Sequence, residues 1–170
     1  MKILSILLLC FLLQIKNAHS YELIKLGLSF VDENKETSLL KIEYPSKEEA
    51  ASYLLHFENG KILDSNDELF DTASLPNGVS YFVMDKEGKI YSSYYMKRLE
   101  FEHSVYVSGE DVACAGTLYV KKGLLINITD ISAQYPAKKP IYLDQVISKL
   151  KENNVDMSKV KVFYDSNIFP

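Results

Sequence analysis

Four side chains between positions 103 and 135 could do chemistry together: His103, Ser104, Ser132 and Tyr135. An imidazole beside a hydroxyl is the pairing of base and nucleophile, and a tyrosine hydroxyl adds a second proton donor. The rest of the chain offers less. Of the three histidines, His19 lies in an N-terminal leader, which leaves His56 and His103. They do not have metal-ligand spacing, and no HExxH, cysteine cluster or calcium loop is present. Asp64, Asp67, Glu68 and Asp71 form an acidic patch without the glycine and final glutamate of a calcium loop, so they read as a solvated face. A phosphate-binding loop, a dinucleotide fingerprint and a GxSxG elbow are all missing. No metal and no cofactor are expected.

The positioning of His103 follows from the pattern around it. Residues 99–107 alternate, with Leu99, Phe101, His103, Val105 and Val107 on one face and Glu100, Glu102, Ser104 and Tyr106 on the other. A strand here turns His103 inward. It is then either a core histidine bonded to the backbone or a tyrosine, or an imidazole lining a cavity and kept neutral by burial. Ser104 points away on an ideal strand, so a His103–Ser104 dyad needs a bulge. Ser132 and Tyr135 fall in a loop, where a hydroxyl bonding its local backbone is the commoner arrangement.

The elements carrying these residues are legible from local signals. Strands are predicted over 21–30 and 39–44. Ser46-Lys47-Glu48-Glu49 reads as a capping box, opening a helix over 47–58 that Gly60 stops. Residues 81–84 and 89–95 form a strand pair about the turn 85–88. A second hairpin, 112–120 with 124–128, turns at Lys121-Lys122-Gly123. Pro140 opens a helix with Ile141, Leu143, Val146, Ile147 and Leu150 at helical spacing, Lys149 and Lys151 near its end, and Asn153-Asn154 after it. A last strand covers 160–164. The expected fold class is α+β, a mainly antiparallel curled sheet or partly open barrel with two helices.

Met1-Lys2, an apolar run over 3–13 and Ala18-His19-Ser20 have the anatomy of a signal peptide cleaved after Ser20. Leu9 and the apolar residues beyond Cys10 argue against a lipoprotein anchor there. Residues 21–170 then form one domain, secreted or periplasmic, with no membrane contact after cleavage. Taking two leader lysines from 19 basic against 23 acidic residues leaves a net charge of −6. That disfavours a general nucleic-acid binder, which would need a basic face, and electrostatic docking on anionic membranes. Cys114, alone after cleavage, cannot form an intrachain disulfide and reads as a small buried hydrophobe. Asn127-Ile128-Thr129 is a glycosylation sequon, usable in a eukaryotic host, with Asn127 expected on the open face. Tyr91, Tyr94, Tyr95, Tyr106 and Tyr119 either line half-buried strands or form an exposed aromatic strip.

Residues 81–135 resemble a module shared by bacterial secreted or effector-like proteins and the plant calmodulin-binding IQ-motif family. The resemblance rests on Tyr81 with Met84-Asp85, Gly88 and Tyr91, then His103-Ser104 with Gly109, Val112-Ala113 and Ala115-Gly116. It continues through Val120, Gly123, Ile128, Ser132, Tyr135 and Pro136. The chain departs from the pattern at Glu102, Val105, Thr117 and Ala133-Gln134, where the family has His, Ser, Glu and Gly-His. The resemblance implies a fold and an exported, effector-like context. With several polar positions replaced and no basic IQ segment upstream, calmodulin is not expected as a partner. The expected function is a binding or effector-accessory module for an unidentified protein or small molecule. The alternatives are a transferase of ADP-ribosyltransferase-like type with a cleft near His103, and a structural envelope protein.

Overall fold

Lys122 and Gly123 have φ of 50° and 75°, the left-handed pair that a two-residue hairpin turn requires. They join β5 (Cys114–Lys121) to β6 (Leu124–Thr129), the centre of the sheet. The computed structural model describes residues 20–31, 35, 42–94 and 102–165. On the other side of β5 lies β3 (Ser80–Met84), which turns through 85–88 into β4 (Ile90–Ser92). The five-stranded order is β4-β3-β5-β6-β7. Strand β7 (Lys161–Phe163) pairs with β6 in parallel, and every other pairing is antiparallel. A parallel neighbour needs a crossover, which here runs through helix α2 (Ile141–Glu152).

Both faces of the sheet are covered, which explains why β3 is almost continuously buried. Phe82 and Met84 of β3, with Leu118 and Val120 of β5, face Leu143, Val146 and Leu150 of α2. Val83 and Ala115 face the other way, onto Val105, Tyr106, Val112 and Tyr135. Among the described residues, the second face is closed by short turns and loops rather than by a long helix. These are the 103–107 turn, the loop after β6, and the N-terminal segment bridged at Ile24–Val112. The fold is α+β and sheet-dominated, and the sheet does not close into a barrel.

Several local expectations hold. Ser46 Oγ accepts the Glu49 N–H at 3.2 Å and Glu49 Oε2 accepts the Ser46 N–H at 2.8 Å, completing the capping box. Helix α2 starts after Pro140 and ends at Asn153, and β7 falls within 160–164.

Four expectations fail. The helix after Ser46 is one turn, α1 (Lys47–Ala51), not a run to 58. Residues 56–58 instead form β1 (His56–Glu58), paired with β2 (Lys61–Leu63) about Asn59-Gly60. Both turn residues have positive φ, 50° and 74°, so Gly60 is a hairpin residue rather than a helix cap. The predicted strand over 21–30 reduces to one bridge at Ile24 and a 3₁₀ turn, Leu28–Phe30. Of the strand over 39–44, the first part lies outside the described residues and 42–44 is not a strand. Of the strand over 99–107, residues 99–101 lie outside the described residues, and His103–Val107 is a 3₁₀ helix closed by Ser108 with φ 51°. A bulge near Tyr119/Val120 also shifts the phase of β6. It buries Leu125 and Ile128 and leaves Leu124 exposed.

Candidate functional site

The 3₁₀ conformation at 103–107 changes which side chains meet. On a strand His103 and Ser104 would oppose each other, but here both are buried, at 4% and 0% exposure. The segment packs against the loop after β6, which carries Ser132, Gln134 and Tyr135, all buried. The structure therefore brings all four candidate residues into one hydrogen-bonded patch.

His103 is held at both nitrogens. Nε2 lies 2.9 Å from the carbonyl oxygen of Gly116 on β5. A carbonyl only accepts, so Nε2 carries the proton. Nδ1 is then the acceptor for the Ser132 hydroxyl at 3.1 Å. Ser132 Oγ in turn accepts the N–H of Tyr135 at 3.1 Å. The Tyr81 ring lies 4.6 Å from the imidazole, tilted by 39°. Burial without a charged partner lowers the His103 pKa to about 4, so the ring is neutral at physiological pH.

Ser104 is not in reach of that chain. Its N–H donates to Gln134 Oε1 at 2.9 Å, and Gln134 Nε2 donates back to Ser104 Oγ at 2.9 Å. In the sequence Gln134 stands out only as a departure from the family pattern. A buried amide makes sense once its partner is known, and that partner lies 30 residues away. The hydroxyl of Tyr135 donates to the carbonyl of Glu110 at 3.0 Å. Four bonds thus tie the 103–110 segment to the 132–135 loop, by way of Ser132, Gln134 (twice) and Tyr135.

Chemically, Ser132 and His103 stand at the spacing of a nucleophile and its base. Their surroundings differ from those of a working pair. Ser132 is 6% exposed, and the far imidazole nitrogen meets a backbone carbonyl instead of a carboxylate. A 630 Å³ cleft lies nearby, between α1, the β3–β4 turn and residues 106–110. Tyr106, Val107, Ser108 and Glu110 line it and His103 does not.

The other singled-out residues have local structural partners. Asp64 Oδ1 accepts the N–H groups of Asn66 and Glu68, Asp71 accepts those of Ala73 and Lys122, and Asp67 pairs with His56 at 2.9 Å. No group of three metal-ligating side chains occurs among the described residues. Cys114 is fully buried, and burial pushes its thiol well above the usual range. Asn127 is half-buried between β5 and β7, its Oδ1 shielded and without a partner. The described tyrosines do not form a strip. Tyr94 is exposed and stacks on Phe70 at 4.8 Å, Tyr106 is buried, and the Tyr91 hydroxyl donates to Asp85 at 3.1 Å. Tyr95 lies outside the described residues. Among those residues, no helix is long and apolar enough to cross a membrane.

Comparison with known proteins bears on what this architecture serves. The family model described as "IQ motif-containing protein middle domain" matches residues 49–140. That span holds both sheet hairpins, the whole His103 patch and the cleft lining from Ala50 onward, while Pro45, Ser46 and Lys47 of the lining precede it. An IQ domain-containing protein of Arabidopsis thaliana, IQM4, is 31% identical over 120 residues. The aligned part covers 71% of this chain and 22% of the relative, so the chain spans about a fifth of that protein's length. No solved structure matches the chain. These likenesses carry the plant half of the resemblance read from the sequence. They also overturn the expectation against calmodulin, since IQ-motif family proteins are calmodulin-binding. The grounds of that expectation are the replaced polar positions and the lack of a basic IQ segment, and the chain compares with only a fraction of the relative.

Proposed function

Because the chain belongs to the IQ motif-containing protein family through its middle domain, we propose that it is a binding module acting on a protein partner through its surface. One observation supports this reading above the others. The groups that could react, on His103, Ser104 and Ser132, are buried and bonded to one another or to Gly116, Gln134 and Tyr135. A network satisfied in this way rigidifies the segments it joins. Here it fixes residues 106–110, one wall of the cleft, against the sheet. The transferase alternative rests on the 3.1 Å Ser132–His103 contact and requires the 132–135 loop to open.

Calmodulin is the partner that family membership nominates. Isothermal titration of the folded chain with calmodulin, with and without Ca²⁺, tests it. Saturable one-to-one binding in either state is expected. No heat in both states would remove calmodulin as the partner. A turnover activity lost in His103→Gln with unchanged thermal stability would overturn the binding reading itself.

We also propose that residues 1–20 are a cleaved leader and that the mature domain starts at Tyr21 and is exported. In support, Tyr21 packs against the core and Glu22 accepts a hydrogen bond from Gln145 of α2. The N-terminal sequence of the protein recovered from its producing cells tests this, with Tyr21 as the expected first residue.

A further inference from the structure

The cleft beside the His103 patch has the size of ligand clefts generally. Its walls come from three elements, and its apolar lining includes Ala50, Leu54, Tyr91, Tyr106 and Val107. Six charged side chains join them: Lys47, Lys86, Lys89, Asp85, Glu87 and Glu110. By count these charges cancel, but their commitments differ. Asp85 is 8% exposed and spent on its own turn. Its Oδ1 accepts the N–H groups of Glu87 at 2.9 Å and Lys89 at 2.8 Å, and its Oδ2 accepts the Tyr91 hydroxyl. Glu110 is held by Lys86 at 2.8 Å. Lys47 on α1 and Lys89 just after the β3–β4 turn are exposed and, among the described residues, have no ion pair or side-chain hydrogen bond. Against these two free cations stands one free anion, Glu87.

We propose that this cleft takes an acidic segment of a partner protein, with apolar side chains seated on the Leu54–Tyr106–Val107 lining and carboxylates on Lys47 and Lys89. The assignment rests on the binding-module reading above. The two unspent ammonium groups come from different walls of the cleft, α1 and the β3–β4 connection, and carboxylates spaced along a chain satisfy both. The Lys86–Glu110 pair adds an exchangeable contact. Both partners are exposed, so an incoming carboxylate replaces Glu110 at little cost. The Glu110 backbone stays in place, because the Tyr135 hydroxyl holds its carbonyl.

The test is fluorescence anisotropy with two labelled peptides, one of alternating Glu and Leu and one of alternating Lys and Leu. They are titrated with the full chain and with the double variant Lys47→Glu/Lys89→Glu. Both positions are exposed and outside the buried network, and thermal melts check that the variant folds. The Glu/Leu peptide is expected to bind, to bind about tenfold more weakly to the variant, and to weaken in about 0.5 M salt. Equal binding of the Lys/Leu peptide, or no change in the variant, overturns the proposal. A calmodulin titration of both proteins in parallel separates the two levels. If calmodulin binds and the acidic peptide does not, the cleft assignment falls and the module reading stands. If neither binds, the cleft assignment falls and calmodulin is removed as the partner.

Discussion

Gly116 is the position where the smallest substitution should do the most damage. A methyl group there would meet the Thr129 carbonyl oxygen at 2.0 Å and the Asp130 Cα at 2.8 Å. Ordinary contact begins near 3.4 Å, so the end of β6 must withdraw from β5 by about 1.4 Å. The obstacle is backbone and cannot rotate away. Overpacking of this kind costs about 1–3 kcal/mol. The same shift strains the Thr117–Thr129 hydroxyl contact at 3.0 Å and the His103–Gly116 bond at 2.9 Å. Each is worth about 1 kcal/mol when lost from a buried site. Gly116→Ala should therefore lose about 3–5 kcal/mol, a large part of the roughly 5–15 kcal/mol that stabilises a domain. Urea unfolding followed by far-ultraviolet circular dichroism measures it as a lower midpoint at unchanged slope. Gly27→Ala is the control, because its methyl meets the Gln134 carbonyl only at 3.2 Å, and it should cost far less. A Gly116→Ala protein within about 0.5 kcal/mol of the parent would refute the reasoning, since surface changes alone fall in that range.

Two further predictions concern charge. His103 has a folded pKa of about 4 against 6.5 for the free side chain, so its contribution is complete above pH 6.5 and is lost as the pH falls toward 4. The loss is roughly 3 kcal/mol, and His103→Gln should remove that component from the pH profile of urea stability. Asp130 is fully buried, with Oδ2 unpartnered and Oδ1 accepting the Asp165 N–H at 2.6 Å. Burial raises its pKa above 3.8, so its charged form destabilises the fold as the pH rises. Asp130→Asn should gain about 1 kcal/mol at pH 7, and the gain should vanish in acid. A melt at pH 7 showing no gain would contradict this.

The parts of the fold that could be read from sequence are those fixed by neighbours along the chain. The capping box at Ser46, the Lys122-Gly123 turn and the apolar stripe of α2 each carry their own geometry. The Asn59-Gly60 hairpin was equally local, because Asn-Gly is a strong hairpin signal. The capping box upstream competes with that signal, because it predicts a helix that a glycine would end. The site was harder to read. Alternation over 99–107 matched a strand, yet residues 103–106 are all buried in a 3₁₀ turn. Ser104 tolerates burial only because Gln134 reaches it from another loop. A period-2 pattern cannot report a contact 30 residues away, so the sequence placed His103 inside but not beside Ser132.

The binding-module reading requires His103 to be a scaffold rather than a reacting group. Long-range ¹H–¹⁵N correlation of the imidazole nitrogens across a pH titration tests it most directly. The expected result is a neutral ring protonated at Nε2, unchanged from pH 8 until about pH 4. A proton on Nδ1, or a titration centred near the ordinary 6.5, would contradict it and return His103 to the candidates for catalysis.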